Sequence, residues 1–217
     1  IMHNTVKNLI YIEELIKSKV NQDKLTKVIA VSKTFPIENI LPLIEHGHLH
    51  YGENKVQEAL NKWNDIKLKN NAIKLHLIGG LQTNKVKFAL RIFDYIHSLD
   101  SEKLAIKISE EQIKQEKKPK IFIQVNIGNE DQKSGINKDN LLSFYKFCKK
   151  LDLDIIGTMC IPPNDGNTEK YFSKMNEINQ KLNFEELSMG MSADYLVAIK
   201  NNATYVRVGS RIFGTRI

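Results

Sequence analysis

Lys33 is the residue whose type and position point most directly to covalent chemistry. It follows the apolar run VIAVS at positions 28–32, which is typical of a buried strand, so its side chain stands at a strand end. A free lysine amine has a pKa of about 10.4 and is a weak nucleophile at neutral pH. Partial burial or a neighbouring cation lowers that pKa and permits Schiff-base formation. Taken alone, Lys33 is better interpreted as an ordinary surface lysine.

Two segments near the C-terminus have the residue types of an anion site. In YVRVGSRIFG, Gly209 and Ser210 stand where a strand turns into a short helix, and glycine permits close approach of the backbone to a ligand. The first N–H groups of a helix are free donors, and the helix dipole attracts an anion. Ser192 precedes another predicted helix in the same way. Together the segments predict one phosphate cradle; the alternative is two capped helix starts without a ligand.

Arg207 is a permanently charged residue inside an apolar strand, between Val206 and Val208. A charge at such a position needs a partner. That partner is either a carboxylate within the fold or a ring nitrogen of a bound cofactor. His76, in the run LHLIG, is interpreted as a core histidine with internal hydrogen bonds and not as a ligand-binding residue.

These residues stand at or near short apolar runs that alternate with longer amphipathic segments. The runs predict eight strands, at 28–32, 49–52, 75–79, 95–99, 121–127, 153–160, 186–190 and 205–209. The segments between them predict helices at 37–46, 53–67, 83–91, 101–116, 138–150, 168–182 and 193–201. The regular strand–helix order predicts an α/β fold with parallel strands.

Eight such units favour a single parallel (β/α)8 barrel of the TIM type, in which functional residues collect at the carboxyl ends of the strands. A doubly wound open sheet is the alternative. A helical apolar stripe before the first strand predicts an extra N-terminal helix, which we expect to cover the bottom of the barrel. Short loops and an even composition predict one domain over residues 1–217.

Composition argues against several classes of function. The net charge of +7 comes from scattered lysines, which disfavours nucleic-acid binding. No apolar run reaches the length of a membrane span, and the first 20 residues carry Glu13 and Glu14 and lack a signal-cleavage site. The two cysteines, Cys148 and Cys160, suit a reducing cytoplasm and have no zinc-site spacing.

Seven ordered segments closely resemble the motifs of the pyridoxal phosphate homeostasis protein family. They run from about Val28 to the C-terminus: VIAVSKTFP, YGENKVQEA, HLIGGLQTNK, VNIGNEDQKSG, IIGTMCIPP, LSMGMSADYLVAI and VRVGSRIFGTR. Each alone is weak, but seven in order are highly specific. The resemblance implies a monomeric barrel like the N-terminal domain of alanine racemase, which is the fold type III architecture of pyridoxal 5′-phosphate (PLP) proteins.

The resemblance also implies roles for individual residues. Lys33 matches the lysine that forms the Schiff base with PLP, and Arg207 matches the arginine that faces the pyridine nitrogen. The other PLP-binding positions that it implies are three at the phosphate, Ser192, Gly209 and Ser210, and two at the ring, Asn54 and Met189.

Two arguments favour a PLP carrier over an enzyme. Arginine cannot accept a proton, so the pyridine nitrogen opposite Arg207 is expected to stay neutral and to stabilise carbanions weakly. A racemase needs a second acid or base, which alanine racemase takes from an extra domain of its partner subunit and which this chain is expected to lack. We predict a cytoplasmic, monomeric carrier that passes PLP to apoenzymes, with Lys133 as a receiving amine. A weak PLP-dependent racemase and a Schiff-base aldolase without PLP are the alternatives.

Overall fold

The barrel predicted from the sequence is confirmed by a computed structural model, which describes residues 1–20 and 25–216. Eight parallel strands close in sequential order, and the first pairs with the last. The open-sheet alternative is therefore wrong. The strands are β1 Lys27–Val31, β2 His50–Glu53, β3 Lys74–Leu77, β4 Tyr95–Leu99, β5 Lys120–Gln124, β6 Asp154–Met159, β7 Glu186–Ser188 and β8 Tyr205–Val208.

Helices follow the strands and form the outer layer. Short 3₁₀ turns at Thr83–Lys85 and Lys138–Asn140 precede two of them. Within the described ranges, no helix is both long enough and apolar enough to cross a lipid bilayer. The helices are α1 Asn4–Lys19, α2 Ile37–His46, α3 Val56–Lys69, α4 Val86–Ile92, α5 Glu102–Gln115, α6 Leu141–Lys150, α7 Thr168–Lys181, α8 Tyr195–Lys200 and α9 Ser210–Phe213.

The N-terminal helix does not lie where it was expected. Instead of covering the bottom of the barrel, α1 packs against α2, α8 and α9 in the outer layer. In the described chain β8 leads into the four-residue helix α9, and there is a place between α8 and α2 beside it. The buried stripe of α1, which includes Leu9 and Ile12, fills that place, and Asn8 Nδ2 donates to the carbonyl of Ile212 at 2.9 Å.

The strands separate two apolar regions. A small cluster inside the barrel contains Ile29, Tyr95, Phe122, Met159 and Tyr205. A larger core fills the space between the strands and the helices. Because alternate residues of a strand face opposite sides, β1, β4, β5 and β8 contribute buried side chains to both regions. Burial of each large apolar side chain stabilises the fold by roughly 1.5–3 kcal/mol. This double packing holds the carboxyl ends of all eight strands at one end of the barrel.

Candidate functional site

A cavity of about 610 Å³ opens at the carboxyl ends of β1, β2, β3, β6, β7 and β8. It combines apolar walls with cationic and hydroxyl side chains. The residues that line it are Val31, Lys33, Asn54, Ile78, Ile161, Met191, Ser192, Ala193, Arg207, Gly209, Ser210, Thr215 and Arg216. Such a mixture suits a small ligand that carries an anionic group on an apolar ring.

Six of the seven predicted binding residues line this cavity, and Met189 does not. Ser188, the last residue of β7, turns into the barrel, where its hydroxyl meets His97 and Arg207. The next side chain, Met189, consequently lies on the other side, fully buried in the core between strands and helices. Met191, two residues further along, is the methionine that reaches the cavity.

The backbone directly after Lys33 has a conformation that residues other than glycine rarely adopt. Thr34 has φ of +68°, in the left-handed region. Its N–H donates to the carboxylate of Glu58 on α3, at 2.5 Å. Phe35 then stacks on Phe213 of α9, with 5.0 Å between ring centres. The turn that aims Lys33 is therefore fixed by contacts from two helices.

Lys62 on α3 joins the two segments beside Lys33. Its ammonium donates to the carbonyl of Ser32 at 2.8 Å and to one oxygen of Glu53 at 2.8 Å. It also donates to Glu58 at 3.1 Å. Through this one side chain the end of β1 and the end of β2 are connected to Glu58, which holds the turn after Lys33.

Glu53 was predicted to begin a helix but is the last residue of β2 and fully buried. The same oxygen that accepts from Lys62 also accepts from Ser32 Oγ and from Trp63 Nε1, each at 2.8 Å. Burial raises the pKa of this carboxyl, and its bonds to Lys62, Trp63 and Ser32 counteract the rise. Glu53 can be buried at this strand end because α3 and β1 supply its hydrogen-bond partners.

The electrostatics of the cavity favour an uncharged Lys33 amine. Partial burial lowers the pKa of Lys33, and the nearby guanidinium of Arg216 lowers it further. Glu58 and Glu53 act in the opposite direction. Arg216 was not identified among the candidate residues, although it lies in the segment VRVGSRIFGTR. Only the return of the tail over the cavity brings it near Lys33.

The cavity has an end suited to an anion. The N–H groups of Gly209 and Arg211, at the start of α9, both donate to Ser192 Oγ, at 3.2 and 3.5 Å. Arg211 Nε donates to the carbonyl of Ser192 at 3.3 Å. The two predicted halves of a phosphate cradle therefore meet, with backbone donors and the hydroxyls of Ser192 and Ser210 close together.

Asn54 stands at the cavity, and the segment that follows β3 passes close behind it. A Cβ atom added to Gly79 would lie 2.5 Å from the carbonyl oxygen of Asn54, so only glycine fits there. Gly190 has a comparable role on the opposite side, with φ of +97° and a carbonyl that accepts from the Arg207 N–H at 2.9 Å. Both glycines permit close chain approaches that shape the cavity.

Arg207 reaches the cavity from inside the barrel and is only 4% exposed. Its Nη1 donates to Ser188 Oγ at 2.6 Å, and its Nη2 donates to the carbonyl of Cys160 at 3.0 Å. In the described part of the chain it forms no ion pair with a carboxylate, so that predicted alternative is absent there. Neutral acceptors hold the guanidinium, and Asp194 favours its positive charge without a direct ion pair.

Lys133 lies outside the cavity, on the loop that follows β5. Its side chain is 49% exposed and forms an ion pair with Glu130 at 2.7 Å. His76, as interpreted from the sequence, is fully buried with internal hydrogen bonds. Across residues 1–20 and 25–216, no three His, Cys, Asp or Glu side chains are grouped in a way that would hold a metal ion.

Comparison with known proteins identifies the family. Residues 13–217 match the family model described as alanine racemase, N-terminal domain. The pyridoxal phosphate homeostasis protein of Aquifex aeolicus is 38% identical over 204 residues, which cover 89% of each chain. That of Haemophilus influenzae is 36% identical and covers 100% of this chain and 96% of its own.

Solved structures agree in fold. PipY of Synechococcus elongatus, solved with PLP bound, superposes with a TM-score of 0.86 at 30% identity, over 97% of this chain and all of PipY. Alanine racemase of Clostridium difficile superposes with a TM-score of 0.74 at 15% identity, over 98% of this chain and 57% of the racemase, a likeness of fold alone. By sequence and by structure, this chain belongs to the pyridoxal phosphate homeostasis protein family.

Proposed function

We propose that this chain is a single-domain PLP-binding protein that carries or buffers PLP through a covalent bond to Lys33. The observation that carries the proposal is a meeting of three groups in one cavity. These are an amine with a lowered pKa, N–H groups suited to an anion, and a buried arginine. The names of the relatives and the PLP bound to PipY support the choice of ligand.

The cavity fits PLP in size and in donor chemistry. Its volume of about 610 Å³ lies in the range of roughly 300–1,000 Å³ that is usual for small-molecule sites. A phosphate needs hydrogen-bond donors, which the hydroxyls of Ser192 and Ser210 offer; the Gly209 N–H, which donates to Ser192 Oγ at 3.2 Å, would turn to the phosphate. A pyridine nitrogen accepts a hydrogen bond. Within the described chain, Arg207 uses two of its five N–H groups on protein acceptors, so others are available to that nitrogen.

Each residue then has a defined task. PLP supplies an aldehyde carbon that condenses with a primary amine with loss of water. Lys33 provides that amine, which must first lose a proton, and Arg216 favours the loss electrostatically. Ser192, Gly209 and Ser210 anchor the phosphate, whereas Asn54 is the proposed ring neighbour. We assign Met189 an indirect role, since it packs behind the cavity wall.

The proton chemistry of the cavity supports a carrier. Of the described residues that line it, Lys33 is the one that can act as a base, since its pKa is lowered by partial burial, whereas arginine remains charged and serine remains neutral. A racemase needs one proton acceptor and one donor on opposite faces of its substrate. A single base permits storage and exchange of an aldehyde but gives poor control of a substrate proton.

We also propose that the protein acts as a cytoplasmic monomer and passes PLP transiently to apoenzymes. Its two cysteines, Cys148 and Cys160, are free and buried, which suits a reducing compartment. Lys133 is the proposed receiving amine, because it is exposed on a loop at the carboxyl ends of the strands.

An absorption titration with PLP tests the proposal. The protein should gain a yellow band that Lys33→Ala removes, whereas Lys85→Ala, which replaces an exposed lysine, should keep it. Borohydride reduction followed by peptide mass mapping should place the label on Lys33. A label on another lysine, or none, would overturn the proposed function.

A weak amino-acid racemase on the same cofactor is the second candidate. It is favoured by the match of residues 13–217 to the alanine racemase domain model. Incubation of the loaded protein with L- or D-alanine separates the two functions. Conversion that does not exceed the amount of protein agrees with a carrier, and many turnovers per site would establish the racemase.

A further inference from the structure

A continuous chain of polar contacts leads away from the cavity through the interior of the barrel. Arg207 Nη1 donates to Ser188 Oγ at 2.6 Å, and Ser188 Oγ lies 2.9 Å from His97 Nδ1. His97 Nε2 lies 2.8 Å from His76 Nδ1, and His76 Nε2 lies 2.9 Å from His50 Nδ1. The chain joins five strands and ends at His50, the half-buried first residue of β2.

The three imidazoles in this row of contacts, those of His97, His76 and His50, are neutral near pH 7. Burial lowers the pKa of His50 to about 4 and that of His76 well below its usual range. Burial also lowers the pKa of His97 well below its usual range, and the charge of Arg207 adds to this effect. A neutral imidazole has one donor and one acceptor nitrogen, so each ring transmits a direction of donation to the next.

Arg207 sets that direction. A guanidinium only donates, so Ser188 Oγ accepts from Arg207 and still has its own proton to place. Among the described residues, His97 Nδ1 is the other polar atom within hydrogen-bond distance of Ser188 Oγ. The hydroxyl therefore donates to it, because a buried hydroxyl without an acceptor carries a desolvation penalty. His97 consequently carries its proton on Nε2, and the same assignment follows for His76 and His50.

We propose that Ser188 and His97, supported by His76 and His50, are positioning residues that hold the Arg207 guanidinium against the cavity. The alternative direction would require all three rings to change tautomer together and would leave the Ser188 proton without an acceptor. The anchored guanidinium then has a fixed orientation toward the ligand. The part of this inference that concerns PLP rests on the proposed function, whereas the direction of hydrogen-bond donation from Arg207 to His50 does not.

NMR of the unliganded protein tests the direction of donation. Long-range ¹H–¹⁵N correlation spectra near neutral pH should show a protonated Nε2 and an unprotonated Nδ1 for His97 and His76. Exposed His46 serves as a reference. A proton on His97 Nδ1, or a doubly protonated ring, would overturn the inference whether or not the protein binds PLP.

Two substitutions of His97 separate positioning from packing. His97→Asn keeps an acceptor near the former Nδ1 but loses volume. In the unchanged protein the His97 ring stacks on Phe122 with 4.3 Å between ring centres. His97→Phe keeps a ring that can stack there but has no hydrogen-bond acceptor. A packing role predicts that Phe is the better replacement in every assay. The positioning role predicts the reverse order for PLP affinity, with Asn within roughly threefold of wild type and Phe roughly tenfold weaker.

Melting temperatures and PLP titrations of both variants complete the test. The expected result is that Phe is the more stable variant and Asn the tighter binder. Equal affinities, or tighter binding by Phe, would refute positioning. If wild-type protein fails to form an adduct on Lys33, the proposed function fails instead, and the tautomer spectra alone decide the inference.

Discussion

Replacement of Lys62 by methionine tests how the Lys33 amine is positioned. The side chain of Lys62 is 9% exposed, and its ammonium donates to Ser32, Glu53 and Glu58. Methionine fills similar space but leaves the fully buried Glu53 carboxylate with Ser32 and Trp63 as its remaining donors. It also removes the donor from the Ser32 carbonyl, next to Lys33. The substitution should therefore reduce both stability and the rate at which Lys33 reacts with PLP.

The size of the stability loss follows from the burial of the pair. Removing one partner of a buried ion pair leaves an uncompensated charge and typically costs about 3–5 kcal/mol. The loss should depend on pH, because the pKa of Glu53 is already raised by burial and should rise further without Lys62. A raised carboxyl pKa contributes stability below its unfolded value of about 4.3 and loses it as pH rises through the folded value. The deficit of the variant should thus be largest at about pH 8 and shrink toward pH 5.

Urea unfolding at several pH values, together with the rate of yellow-band formation, measures both effects. Lys67→Met is a matched control, since Lys67 lies on the same helix and pairs with Asp94 and the carbonyl of Ile92, away from Lys33. The control should lose less stability and keep the wild-type reaction rate. A Lys62→Met deficit below about 1 kcal/mol, or one that does not change with pH, would refute the argument from burial.

Three further predictions concern the rim and floor of the cavity. Arg216→Gln removes a charge that lowers the Lys33 pKa, so the pH midpoint of adduct formation should move upward in a stopped-flow pH series. Arg216→Lys should leave the midpoint near wild type, and an unchanged midpoint in both variants would exclude the electrostatic role. Gly209→Ala should keep its melting temperature, because φ is −115° and the added Cβ would lie 3.4 Å from Val31 Cβ. Its PLP affinity should fall on the order of tenfold, about 1.4 kcal/mol, in an equilibrium titration; unchanged affinity would place the phosphate elsewhere. Lys133→Gln should slow hand-over of PLP to an apoenzyme without changing binding, and equal transfer kinetics would contradict that role.

The fold was predictable because its signals are local. Apolar runs such as 95–99 and helical stripes such as 37–46 match the observed elements at both ends. The errors arose where distant residues decide the outcome. Glu53 is a charged residue that belongs to a strand only because Lys62 and Trp63 bury it.

Prediction of the site had the same limit. The strand-end position of Lys33 and the glycine–serine pair at 209–210 are visible in one sequence, and both reach the cavity. The inward turn of Ser188, which directs Met189 away from the cavity, depends on closure of the barrel. Arg216 acts on Lys33 only through the path of the tail. The link between His97 and Arg207 needs side chains from separate strands.

A store of PLP must bind the aldehyde firmly and also release it, and the surroundings of Lys33 serve both needs. A fully buried lysine would react readily but would hinder the water that reverses the bond, whereas a fully exposed one would stay protonated and react slowly. Lys33 is half-buried, with Arg216 lowering its pKa and two carboxylates opposing that effect. The lowered pKa favours the reactive neutral amine, and partial exposure leaves water access to it. The proposed carrier therefore depends on the same openness that would make the cavity a poor racemase.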